Sequence, residues 1–314
     1  GVSIGLIIGG RGEPPRAVAR QSGRRSRACY SSGRMTSQVR VLRAWDHPNP
    51  LRLVREGLAD IWSRRRLARY LVGADLARHG ANTVLGNVWW LLDPLLQMAV
   101  YVVLVGIIFG RSTPDYPLFI FAAILPWKWF SSSINDAVTA VTSRERIIKQ
   151  VAFPKIVLPV TATASGLVSF CFGLIPLVAL MVAFFPHRLT AFVFLIPVVA
   201  AVQFVITLAA AIVLSAANVF VRDIGNVVRH ALRLLFYLSP ALYSIDHLAG
   251  HRTLSTIMWL NPFTTLFESY RDLIYAGAPP LWDALLVWAV VAGFLFLLAV
   301  SVFKWLEPSF AKVL

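Results

Sequence analysis

No Gly-Lys dipeptide occurs anywhere in this chain, which excludes a phosphate-cradling P-loop, and neither a G-x-G-x-x-G dinucleotide fingerprint nor an H-E-x-x-H zinc motif is present. The chain itself is not expected to bind ATP. Cysteine is almost missing: Cys29 falls in a basic tail and Cys171 in an apolar run, a placement that predicts neither a disulfide nor a metal cage. His247 and His251 have helical ligand spacing, but a pair without a third ligand assigns no metal. Only 15 residues are acidic, and Asp93, Asp136, Glu145, Asp223, Glu268 and Asp272 lie scattered. A glycosyltransferase needs carboxylates gathered around a metal–nucleotide sugar or poised as a base, so a stand-alone membrane glycosyltransferase or flippase is a weak alternative. The third and fourth apolar segments carry almost no charge, which argues against an ion-coupled carrier and for energy supplied from outside the bilayer.

What the chain has in abundance is apolar surface: 57% of its residues are hydrophobic and only 14% charged, with mean hydropathy +0.68. A bilayer is the solvent that suits such a composition. A hydrocarbon core needs about 20 apolar residues per helix, and segments of that kind fall near 84–110, 117–139, 156–184, 192–217 and 282–304. A sixth is read near 227–245, where Arg229, His230 and Arg233 precede an apolar stretch and their long side chains can snorkel. The expected fold is an all-α membrane domain over 84–314, preceded by a cytoplasmic or interfacial segment 35–83. Residues 1–34, with seven Arg and Pro14-Pro15, read as a disordered basic extension ahead of Met35.

The net charge of +15 is read as topology first, because a nucleic-acid binder carries its excess on a soluble fold. The 25 Arg against 5 Lys fit a GC-rich genome better than a recognition chemistry. With six spans and an internal N-terminus, 25 basic residues fall inside, whereas Arg111, Lys128, Arg188, Arg252 and Arg271 fall outside. That bias places both termini in the cytoplasm.

Three segments and a set of aromatics carry candidate function. Leu51, Val54, Leu58, Ile61 and Trp62 recur at helical spacing opposite Arg52, Arg55 and Arg64 to Arg66, predicting an amphipathic helix on an anionic leaflet. Between the second and third spans, Arg144, Glu145, Arg146 and Lys149 alternate with Ile147, Ile148 and Val151, and Phe153-Pro154-Lys155 follows. This predicts a short, half-apolar helical knob able to seat in a soluble partner. The stretch 246–281 is too polar to span and too apolar for a free loop, so two short re-entrant helices are expected there. Aromatics, among them Trp127, Trp129, Tyr237 and Tyr243, gather at the expected boundaries, where anchoring in lipid and lining a sugar path both remain open.

Taken together, Leu85-Gly86 with Trp89 and Pro94, Phe153-Pro154-Lys155 with Leu158-Pro159, Asn218 with Arg222-Asp223, Leu238-Ser239-Pro240 with Tyr243, Leu260-Asn261-Pro262, Tyr270-Arg271-Asp272 and Leu306-Glu307-Pro308 follow a known order. In these features the chain resembles the permease subunit of type-2 ABC exporters of O-antigen, teichoic acid and related polysaccharides. It departs from that pattern before Leu85, reading Arg78-His79-Gly80 where the family often has an Arg-Tyr pair. The resemblance implies a six-helix subunit in the inner membrane that pairs with a second copy and with two ATP-binding cassette subunits, ATP and Mg residing on those partners. It implies a coupling helix over 140–154 using Arg144, Glu145, Arg146, Lys149, Phe153 and Pro154, with bracing by Arg222 and Asp223. It further implies headgroup or interface contacts through Trp62, Arg66 and Arg78. A channel or gate is implied at Trp127, Trp129, Tyr237, Tyr243, Asn261, Pro262, Glu268, Tyr270 and Arg271. The implied cargo is a lipid-linked polysaccharide; the Arg-rich composition and the length from Met35 are most similar to the exporters of galactan for mycobacterial cell-wall arabinogalactan. Export of a small molecule or drug is the alternative within the class.

Overall fold

The computed structural model describes residues 49–80, 85–108, 114–151, 153–245 and 252–314. The basic extension, Arg111 and the His247/His251 pair lie outside them. Every regular element among the described residues is helical. Among the described residues five helical stretches are long and apolar enough to cross a membrane: Leu91–Ile108, Tyr116–Ala140, Val157–Phe184, Ala191–Phe220 and Trp282–Phe310.

In chain order the α-helices are α1 Pro50–Ser63, α2 Arg65–Gly80, α3 Trp89–Tyr101, α4 Tyr116–Ala140, α5 Glu145–Gln150, α6 Val157–Phe184, α7 Ile196–Phe220, α8 Ile224–Leu238, α9 Arg252–Trp259, α10 Pro262–Arg271 and α11 Trp282–Val313. The first apolar stretch begins later than the sequence suggests. Gly86–Val88 forms a tight 3-10 turn with Gly86 at φ 49°, so the long helix starts at Trp89 and continues as π-helical turns through Val102–Ile108. At 15 residues α8 is shorter than the five long stretches. It is followed by an irregular run to Ile245.

The centre of the bundle is α4. It packs against α3, α6, α7, α8 and α10, while α11 lies on α7 and α2 on α6. Its most apolar window is 78% buried, against 11% for Leu91–Ile108 and 22% for Trp282–Phe310, so the latter two present their apolar surface outward to lipid. Buried Gln203 of α7 donates its amide to the Pro126 carbonyl at 2.8 Å, a polar tie across two apolar helices. Small residues permit the closest approaches: a side chain at Gly166 would overlap Ser133, and one at Gly173 would overlap Leu125.

The predicted amphipathic helix forms as α1, started by Asn49, whose side chain accepts from the Leu51 N–H at 3.1 Å, and by Pro50 at the first position. Leu51 and Trp62 stand 76% and 72% exposed on the surface the sequence assigns to lipid, and Arg65 places its guanidinium 5.2 Å from the Trp62 ring. The opposite edge seats on α11 through Gly57, where an added Cβ would overlap Val300. Gly57→Val is expected to lift α1 off α11 at a cost of about 1–3 kcal/mol. Amide exchange in α1 would then rise about tenfold or more, and unchanged protection would rule out the close seat. The second helix α2 is not foreseen by the sequence reading; its run of Arg residues hides a face that packs on α6.

Candidate functional site

At one end of the bundle the chain between α4 and α6 turns back as a 3-10 turn, Thr142–Arg144, and then α5. Ile148 is buried under α5, whereas Ile147 and Val151 stand 51% and 55% exposed. Four ties hold this knob. Arg144 donates to Asp75 of α2 at 3.1 Å, both side chains being 17% exposed. Lys149 donates to Glu145 and to the Leu314 carbonyl, each at 2.7 Å, and its hydrogen bond holds the Glu145 carboxyl below the usual range. The Lys155 N–H, just past Pro154, donates to Glu307 of α11 at 2.6 Å. Lys304 joins Glu307 at 2.6 Å to Asp60 of α1 at 2.8 Å. The amphipathic helix, the exit of the knob and the last helix thus share one charged network.

Asn218, near the C-terminal end of α7, accepts from the Gly225 N–H at 3.2 Å and donates to Thr142 at 3.4 Å, linking α7, α8 and the knob. Arg222 and Asp223, in the turn between α7 and α8, are exposed, as are Arg66, Arg78 and Arg146. Phe153 and Pro154 are half-buried.

The second constellation lies between α8 and α11. Asn261 caps α10 by accepting from the Phe263 N–H at 3.0 Å and donates to Ser239 at 2.7 Å, with Pro262 at the first helical position. From there α10 packs Phe263 on Phe130, ring centroids 4.4 Å apart, and on Trp127 at 5.2 Å. Arg271 is 2% exposed. It donates to the Ala241 carbonyl at 2.7 Å, the Tyr243 carbonyl at 3.3 Å and Glu268 at 2.9 Å, with its guanidinium 3.8 Å from the Phe119 ring centre. Tyr270 is buried beside it, and its hydroxyl finds no partner among the described residues. The chain then reaches the far end of the bundle, where the Tyr275 hydroxyl donates to the Pro114 carbonyl at 2.9 Å. Arg188 there donates to Asp115 at 2.9 Å and to the Tyr275 carbonyl at 3.2 Å. Hydrogen bonds from Arg188 and His187 hold the Asp115 carboxyl below its ordinary range. Gly277, at φ 65°, turns the chain against Thr190.

One sequence expectation changes, and for Trp127 and Trp129 one of the two readings left open is excluded. Lys128, expected on the outer side, pairs with Asp93 near the start of Leu91–Ile108, so it lies at the Asp93 level and not with the Asp115 and Arg188 group at the far end of the bundle. Trp127 and Trp129 are 6% and 2% exposed and face the protein interior, Trp129 stacking on Phe170 at 4.8 Å, whereas a lipid anchor needs an outward ring. Tyr237 is 57% exposed, and Tyr243 lies against Met258. The ties through Asp60, Asp75, Asn218 and Glu307 escape the sequence reading. Glu307 and Lys155 each stand out within a short motif, but nothing local pairs residues so far apart.

Among the described residues five long apolar helices, the central one buried, with a basic, cross-braced knob at one end of the bundle, define a multi-pass membrane protein. Residues 76–275 match the family described as ABC-2 type transporter, and the chain belongs to that family. It is similar to the O-antigen export system permease protein RfbA of Myxococcus xanthus, 33% identical over 262 residues, covering 83% of this chain and 99% of the relative. Two proteins of the same description from Klebsiella pneumoniae are 28% and 25% identical, each covering 78% of this chain and 93% of the relative.

Proposed function

We propose that this chain is the membrane subunit of an ATP-driven exporter that moves a lipid-linked polysaccharide, galactan in particular, out of the cytoplasm. The observation that carries the reading is the knob: a short helical segment tied to α2, α7 and the end of α11 yet exposing Ile147, Val151 and Arg146 beyond the bundle. Such a surface suits the cleft of a soluble ATPase. Similarity to the Myxococcus xanthus permease over nearly its whole length supports the polysaccharide cargo.

In this reading two copies enclose the path and two ATP-binding subunits, holding ATP and Mg, act on the two knobs. Both termini are cytoplasmic, which the basic residues around the knob support. Helix α8 with Ser239–Ile245 makes the sixth span. Helices α9 and α10 dip into the bilayer and return. This is supported by the Asn261 contact with Ser239, by Phe263 beside Trp127 and Phe130 midway along α4, and by the climb to Pro114 at the far end. Arg144 braces the knob from within, Arg146 meets the partner, and Trp62, Arg66 and Arg78 face lipid headgroups.

The test is co-purification with candidate ATP-binding subunits, followed by ATPase assay with and without lipid-linked polymer. A retained partner with polymer-stimulated turnover is expected. Neutralising Arg144 and Arg146 together is expected to cut partner-dependent export about tenfold or more; unchanged export would remove the knob from the mechanism.

A further inference from the structure

Helix α8 has three faces. Val228, Leu232 and Phe236 are buried against the bundle; Val227, Leu234 and Leu238 are exposed apolar residues, 63–66% accessible, suited to lipid. The third face carries Asn226, Arg229, Arg233 and Tyr237 at offsets of three, seven and eleven, a single stripe on a helix. This polar stripe opens onto a cavity of about 800 Å³ whose walls include Asn135 and Thr139 of α4 together with Arg222, Asn226, Arg229 and Arg233.

The chemistry of those walls is one-sided. Three guanidinium groups meet one carboxylate, Glu145, which Lys149 already holds. Flat guanidinium forks match phosphate oxygens two at a time, and asparagine amides and threonine hydroxyls add neutral donors. A snorkelling arginine sends its head group away along the helix, whereas Arg229 turns back to donate to Asn226 on the cavity wall. The neighbouring cavity that contains Arg78 differs, because Asp75 and Asp136 offset Arg78 and Arg144 there. A third cavity, at the knob exit, sets Lys149, Lys155 and Lys304 against Asp60 and Glu307, so its positive excess is smaller than that of the α8 cavity, where three arginines face one carboxylate.

We infer that this cavity is an oxyanion subsite, in which Arg222, Arg229 and Arg233 receive a phosphate or diphosphate group carried by the exporter's cargo. The inference rests on the exporter reading for the cargo, while the anion chemistry rests on the cavity alone.

The test uses the full chain in nanodiscs of zwitterionic lipid, titrated calorimetrically with inorganic pyrophosphate and with farnesyl diphosphate. Saturable binding of at least one is expected, weakening with salt. The Arg229→Gln/Arg233→Gln variant should lose about tenfold or more in affinity. Arg222→Gln, in the turn before α8, tests the same wall without altering the helix, and Lys312→Gln serves as the control outside it. Tighter farnesyl diphosphate binding identifies a lipid-borne group; equal affinities identify the free anion, and either supports the subsite. The absence of saturable binding, or Arg222→Gln and the double variant binding like the parent, overturns it. A parent chain that exports polymer with its ATPase yet binds neither diphosphate sinks the subsite alone. Diphosphate binding without any retained ATPase sinks the exporter reading instead.

Discussion

An Arg271→Leu chain, purified in mild detergent, is expected to unfold at a distinctly lower temperature than the parent and to lose export. The guanidinium is buried and satisfies the Ala241 and Tyr243 carbonyls as well as Glu268, so its removal strips three acceptors of one shared donor group. Removing one partner of a buried ion pair costs about 3–5 kcal/mol, because the other group is left desolvated. Leucine replaces the bulk over the Phe119 ring and none of the hydrogen bonds. Arg271→Lys should fall between the two, since an ammonium cannot present a planar fork to carbonyls on one side and a carboxylate on the other. An Arg271→Leu chain with the parent's melting temperature would show that the run after α8 is held by something else.

The second large effect is expected at the opposite end. Glu307→Ala removes the acceptor of the Lys155 N–H and the partner of Lys304, leaving a half-buried ammonium with Asp60 alone. An orphaned buried donor costs about 1–3 kcal/mol, and the loss is concentrated where the chain leaves the knob. The expected result is an exporter that still retains its ATPase but couples hydrolysis to export about tenfold less well. Glu307→Gln keeps one oxygen for the Lys155 N–H while losing the charge, so it should recover part of the coupling. Full coupling in Glu307→Ala, measured as polymer moved per ATP, would dismiss the network as a mechanical element.

How far this could be read from the sequence differs from element to element. Long apolar runs reveal themselves, because hydropathy averages over a whole helix and four of the five long stretches fall within a few residues of the expected bounds. The first does not, since Gly86 and the tight turn after it delay the helix while the composition stays apolar. The knob is legible through its alternation of charge and aliphatic residues, closed by Phe153-Pro154. What stays hidden is which way a side chain faces. Trp127 and Trp129 have the composition of anchors and the environment of a core. Arg271 lies in an apparently polar connection yet is among the most buried charges, because its acceptors are backbone carbonyls that no sequence pattern displays. Lys128 looks like an outer charge until Asp93 is brought beside it across 35 residues.

Because α4 touches the knob's base at one end, the aromatic seat of α10 midway and the Asp115 tie at the other, it behaves as a beam about 37 Å long fixed at three heights. A beam so held can tilt but cannot bend locally without opening one of its seats. Its weak point is Pro126, which removes a helix hydrogen bond next to the aromatic seat, and Gln203 splints that point from the neighbouring helix. Slack in the splint would let the two halves of the beam flex separately, so in the proposed exporter the stiffness of one amide contact would set how faithfully a push at the knob arrives at the far end.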